Sequence, residues 1–159
     1  LPDGTLFGEG VKTRIKEALL HDCNLHTIVR LPNGVFAPYT GIKTNLLFFE
    51  KGTKTKDVWY FEHPYPDGVK SYNKTKPVNI KEFDLEKAWW NKREENQYAW
   101  KVSLAEIEKR GFNLDIKNPH QSADTSESPE VILTKYRETE KNIASIQQRI
   151  MDLLTEALN

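Results

Sequence analysis

Apolar and polar positions change rhythm several times along the chain, and each change predicts an element. Residues 8–22, GEGVKTRIKEALLHD, place Val11, Ile15, Ala18 and Leu19 at helical spacing among Lys and Arg, which predicts a helix laying that face on a sheet. NLHTIVRL and TNLLFFEK are short runs of apolar and β-branched residues, which predicts two buried strands joined as a long-looped hairpin. KDVWYFEH alternates and is closed by the breakers of HPYPDG, giving a third strand after the hairpin. Val69 to Val78 has no period and reads as loop or irregular edge. IKEFDLEKAWWNK predicts a short helix or turn docking Trp89 and Trp90 on the core, and YAWKV a short strand. Ser103 and Glu106 have the spacing of a capping box, opening a helix that Gly111 stops.

The rhythm fails over residues 117–130, where Ala123 is the one aliphatic side chain among Ser, Asp, Glu, Pro and Asn, and this predicts a flexible linker over 119–129. Beyond it, Ser128 suits an N-cap and Pro129 a first helical position. Ile132, Tyr136, Thr139, Ile143, Ile146, Ile150, Leu153 and Ala157 then recur alternately four and three apart, a heptad seam along one long helix. One helix cannot cover both sides of such a seam, so Ile143, Ile146, Ile150 and Leu153 are candidate docking residues over 130–159. They suit a partner subunit, a second copy of the chain or packing back onto this chain's own globular part.

Composition adds limits. With 159 residues, 38% hydrophobic and 29% charged, the chain has the composition of a globular protein. Lys and Arg (23) balance Asp and Glu (23), so attraction to nucleic acid requires local clustering. Between Gly41 and Lys81, Lys43, Lys51, Lys54, Lys56, Lys70, Lys74, Lys76 and Lys81 face Glu50, Asp57, Glu62 and Asp67, a surplus of four. A solvated lysine-rich surface is the plainer reading of that surplus. The single Cys23, where a helix should meet a strand, reads as a reduced core thiol, which points to a cytoplasmic protein. No apolar run reaches the roughly 20 residues of a membrane span, and no signal segment is recognisable at the start. Leu1 stands where Met would, which suggests a fragment of a longer protein.

No phosphate loop, Ser/His/Asp order or metal-ligand spacing can be assembled. GEG at Gly8 to Gly10 lacks the preceding strand and the spacing of a dinucleotide fingerprint. His21, His26, His63 and His120 lie in different elements, and each reads as a surface or capping side chain.

LPDGTLFGEGVKTRIKEALL, CNLHTIVRLPNGVFAPYTGIKTNLLFFEKG, WYFEHPYPDGVKSYNKTKP, EKAWWN and FNLDIKNPH resemble the C-terminal part of the modification (M) subunit of type I restriction-modification enzymes, an adenine-N6 DNA methyltransferase family. The resemblance covers residues 1 to about 120. It implies an α/β fold: over 1–118, the C-terminal part of a Rossmann-like methyltransferase sheet, with its last helix, the hairpin of its sixth and seventh strands and an extra strand, then linker and helix. For the full-length enzyme it implies methyl transfer from S-adenosylmethionine to adenine N6. The family's Gly-containing cofactor motif and its Asn-Pro-Pro-aromatic loop do not occur in these residues; KNPH lacks the second proline and the aromatic. By this reading the chain alone holds no catalytic or cofactor-binding residue, binds no S-adenosylmethionine and is inactive.

The resemblance also assigns a role to the breaker-rich loop. Its LPNGVF segment is similar to the motif flanking the target-base pocket, which makes Phe36 the residue that stacks on an adenine turned out of the helix. A loop aromatic folded back onto the core is the alternative for Phe36 and the leading one for Tyr39. Tyr39, Lys43, Lys54 and Lys56 are candidate contacts to double-stranded DNA. The implied partners are the specificity (S) subunit, which chooses the sequence, and the restriction (R) subunit. A reading of another class, a non-catalytic interaction module acting through the terminal helix, stays open.

Overall fold

The computed structural model describes residues 1–120 and 129–158. They fall into two compact units, residues 1–120 and 129–158. The first is built on a four-stranded sheet of β1 (Cys23–Leu31), β2 (Thr44–Lys51), β3 (Asp57–Glu62) and β4 (Ala99–Ser103), in the order β2-β1-β3-β4. β1 and β2 are the predicted hairpin, antiparallel from Cys23↔Lys51 to Leu31↔Thr44. β3 does not extend the hairpin beside β2. It crosses to the other side of β1 and pairs with it in parallel, Thr27↔Trp59 to Arg30↔Glu62, and β4 closes that side antiparallel.

β2 is therefore an edge strand, which corrects the expectation of two buried strands. Leu46, Phe48 and Phe49 are exposed, because an unbroken apolar run shows that both faces are sticky without showing what covers them. Its outer edge is covered at one end, where Pro2 bridges Thr44 and the Asn45 N–H donates to the Leu1 carbonyl at 2.7 Å. The pairing slips between Leu25 and Thr27, a bulge that lets His26 stand out of the alternation. Buried Thr55 supports the chain there, its hydroxyl accepting from Leu25 N at 2.8 Å and donating to the Cys23 carbonyl at 2.7 Å.

Helices cover both faces. On one lie α1 (Asp3–Leu6), α2 (Val11–Asp22) and α4 (Leu104–Lys109), around Leu6, Leu20, Leu25, Ile28, Tyr60 and Trp100. On the other, a 3₁₀ turn (Ile80–Phe83) and α3 (Asp84–Asn91) bring Trp89 onto Val29, Leu31, Phe61 and Ala99. α2 faces inward differently from the prediction: Leu20 and Lys16 are buried, whereas Val11, Ile15 and Ala18 are exposed. Lys16 sets that rotation, because its ammonium donates to the carbonyls of Leu6 (2.7 Å) and Gly8 (2.9 Å) at the end of α1. Its aliphatic stem is buried on the way there, and burial holds its pKa below the usual lysine value. Cys23 caps α2 and begins β1 as expected, but is only half-buried.

The second unit is α5 (Pro129–Leu158), beginning at the predicted proline. Tyr136, Ile143, Ile146, Ile150 and Leu153 are exposed. The side chains of Ile132 and Ala157, the proposed cap Ser128 and all but the ends of the predicted linker lie outside the described residues.

Candidate nucleic-acid interface

The loop between β1 and β2 leaves the carboxyl end of β1, where ligands sit in open α/β sheets. It is held at its base and free at its tip. Gly34 has φ +81°, and a Cβ there would lie 2.3 Å from the Tyr72 carbonyl oxygen, so the close passage of the two backbones requires glycine. The Tyr65 hydroxyl donates to the Asn33 carbonyl at 3.1 Å, and its ring packs on Tyr72 at 5.4 Å. Tyr72 in turn donates to Glu82; burial and this carboxylate push its phenol pKa up.

Beyond Gly34 the chain turns on itself, with Ala37 N donating to Gly34 O at 2.9 Å, and Tyr39 N and Thr40 N to Phe36 O at 2.9 and 3.2 Å. These turns leave the tip side chains no core to reach. Phe36 is 48% exposed and Tyr39 92% exposed, which overturns the expectation that Tyr39 folds back.

Beside the loop base is an open cleft of about 450 Å³, lined by Arg30, Asn33, Lys43, His63, Tyr65 and Lys70 among others. Arg30 is already engaged, donating to Asp115 at 2.6 Å and to the Ile116 carbonyl at 2.9 Å. Lys43 and Lys70 at the rim are exposed. Phe36, Tyr39 and Lys43 thus belong to one end of the sheet. Lys54 and Lys56 do not: they precede β3 and lie at its amino end beside Asn24 and His26. The nine residues of β1 separate the two ends, or roughly 26 Å along the sheet. The five side chains taken together from the sequence form two separate groups.

His63 was read as a surface or capping residue, and the structure corrects this. It is buried at the end of β3, paired through Nδ1 with buried Glu86 of α3 and stacked on Phe83 at 4.6 Å. Nε2 of His63 and Oε2 of Glu86 have no partner among the described residues. The sequence signal was weak, since a histidine ending an alternating strand and a glutamate in an amphipathic helix both look solvent-facing. Arg93, just past α3, carries no signal in the local sequence; its guanidinium lies 4.7 Å from the Trp90 ring centre, and both terminal nitrogens lie 3.4 Å from His26 Nδ1.

Among the described residues no group of His, Cys, Asp and Glu could hold a metal ion, and no helix is long and apolar enough to cross a membrane.

Comparison with known proteins gives these surroundings a context. The family model of N-6 DNA Methylase matches residues 1–128. The methylase subunit of the type I restriction enzyme EcoEI of Escherichia coli is 57% identical over 165 residues, covering 99% of this chain and 34% of that protein. The modification subunit of a putative type I restriction enzyme from Vibrio vulnificus superposes with a TM-score of 0.70 at 53% identity, over 75% of this chain and 26% of that one. A chain from a structure describing complex assembly and conformational transition of the type I restriction-modification system gives 0.72 at 36% identity, over 98% of this chain and 34% of that one. The chain therefore spans about a third of the curated relative it matches over nearly its whole length.

Proposed function

The chain belongs to the N-6 DNA methylase family, and from that premise we propose that it is the C-terminal portion of a type I M subunit that transfers a methyl group from S-adenosylmethionine to adenine N6. In this reading the portion supplies one wall of the target-base pocket and a helix that docks the S subunit, within an assembly that also takes the R subunit and double-stranded DNA. The cofactor and the reacting groups are supplied by the rest of the enzyme. The proposal includes a larger sheet, continued past the edge of β2, in keeping with its exposed apolar side chains.

The observation that carries the base-pocket role is the placement of Phe36. A large apolar ring half in water, on a loop whose base is tied at Asn33 and Gly34, suits a surface that completes itself on a flat partner. An enzyme that modifies a base must turn it out of the stack and hold it between apolar faces. Tyr39 and Lys43 at the same end are the proposed DNA contacts. Phe36→Ala in the full-length enzyme tests this. Stacking on a base is worth about 1 to 3 kcal/mol, so methylation should fall roughly 5- to 150-fold, with little change in melting temperature. A variant that melts several degrees lower yet methylates at the normal rate would make Phe36 a packing residue.

The second reading, an interaction module with the sheet as its mount, is favoured by the exposed seam of α5. The two differ on DNA: the base-pocket reading requires weak affinity of residues 1–120 for single strands, and the mount reading requires none.

A further inference from the structure

The amino-terminal end of the sheet carries a feature that the base-pocket reading leaves unused. Arg93 is about half sunk between α3 and β1, where burial pulls its pKa below the usual value. Its positive charge meets no carboxylate: among the described residues Arg93 forms no ion pair, while neighbouring Lys92 takes Glu94. What it has instead is the Trp90 face at 4.7 Å, the Trp89 face at 5.8 Å and the Nδ1 atom of His26, 3.4 Å from each of two guanidinium nitrogens. That nitrogen is also 2.8 Å from the Thr27 hydroxyl oxygen. Five N–H donors in a fixed fork therefore meet at most one acceptor, and a shared one, and a partly desolvated cation without a counter-charge is costly to keep.

The surroundings add to the imbalance. Arg93 opens into a cleft of about 390 Å³ lined also by Asn24, His26, Thr53, Lys54, Lys56, Trp59 and Lys101, with Asp57 as its one carboxylate. Lys101 lies 5.6 Å over the Trp59 ring. Lys54 has a distant partner in Glu108 at 3.8 Å, both exposed. Glu50, on the far strand of the hairpin, acts on His26 more weakly than Arg93 does. The cleft thus holds four cations against one lining acid, with a fork positioned by two indole rings.

We propose that this cleft binds a phosphate group, with Arg93 as its bidentate ligand and Lys56 and Lys101 completing the neutralisation. A planar guanidinium held by stacking pairs two N–H groups with two phosphate oxygens, which an ammonium cannot do. The phosphate could belong to a nucleic-acid backbone, at a point well away from the Phe36 loop, or to a free phosphorylated molecule. The chemistry at Arg93 is the same for both.

The test is a titration of the whole chain with inorganic pyrophosphate at low salt, followed by calorimetry and by the fluorescence of Trp59, Trp89 and Trp90. Saturable binding is expected. Arg93→Ala should weaken it at least about tenfold, the usual effect of losing a charged bidentate partner. Arg93→Lys, which keeps the charge and protects against loss of fold, should weaken it several-fold, as should Lys56→Gln at the rim. Phe36→Ala should leave it unchanged, which separates this site from the base pocket. Displacement of pyrophosphate by a short DNA duplex assigns the phosphate to a backbone; pyrophosphate that stays bound against duplex assigns it to a free ligand. Absence of saturable binding by the wild-type chain up to millimolar pyrophosphate, or equal affinity in the wild type and both Arg93 variants, overturns the proposal.

Discussion

His26 is pressed in one direction by two influences. Burial is the larger influence and the Arg93 charge the second, and both favour neutral imidazole; Glu50 opposes them weakly. The folded pKa thus lies below the ordinary value near 6.5, and near and below that value the unfolded chain binds more protons than the folded one. Stability must therefore fall as pH drops through that value and recover as it rises. Urea midpoints measured from pH 7 to about pH 5 should decline less steeply in His26→Gln than in the wild type; parallel declines would show that this imidazole does not contribute. Nothing in the local sequence announces this, because Arg93 is distant in sequence and reaches His26 only through the packing of α3. Lys16 is similar: its spacing on α2 looked solvent-facing, and only the carbonyls left open at the end of α1 explain its burial. The exposure of Phe36 was legible because breakers around an aromatic are a local signal.

At the scale of elements, sequence punctuation was informative and orientation was not. Ser103 does accept from Glu106 N, at 3.3 Å, giving half of the predicted capping box. A reciprocal box joins Asn79 and Glu82 at the start of the 3₁₀ turn. Strand identities followed from β-branched and aromatic content, but β2 looked as buried as β1 because burial depends on the neighbour a strand receives. α5 is where periodicity alone carries a prediction. Its residues Ile146 and Ile150 are 60% and 51% exposed, and each aliphatic side chain removed from water on docking contributes roughly 1.5 to 3 kcal/mol. Ile146→Lys with Ile150→Lys should keep the helix, since lysine is a good helix former, and leave the melting of residues 1–120 nearly unchanged. Capture of the S subunit, and any self-association, should be lost. Co-purification of the double variant with an S subunit at wild-type yield would show that the seam serves another purpose.

For the whole molecule, the question is what lies beyond β2. Leu1 and Pro2 already run antiparallel along its outer edge, against Asn45 and Thr44, so the ladder is started and then left open from Leu46 onward. An open edge with Leu46, Phe48 and Phe49 on it is an invitation to further pairing, and in the proposed full-length enzyme the sheet continues there. Phe49 separates the alternatives. Its side chain is 52% exposed in this chain, so Phe49→Lys here gives up only the contacts of a half-covered ring and should change stability modestly. If a further strand covers the edge in the full-length protein, the same substitution buries an ammonium in place of a phenyl ring. The loss there should be larger by about 1 kcal/mol or more, since the half of the ring still exposed here would also leave water, out of roughly 1.5 to 3 kcal/mol for full burial. Thermal melts of the two lengths, each with and without the substitution, measure the difference directly. Equal shifts in both would mean that the β2 edge stays open in the complete enzyme and that the four strands seen here are a sheet of their own.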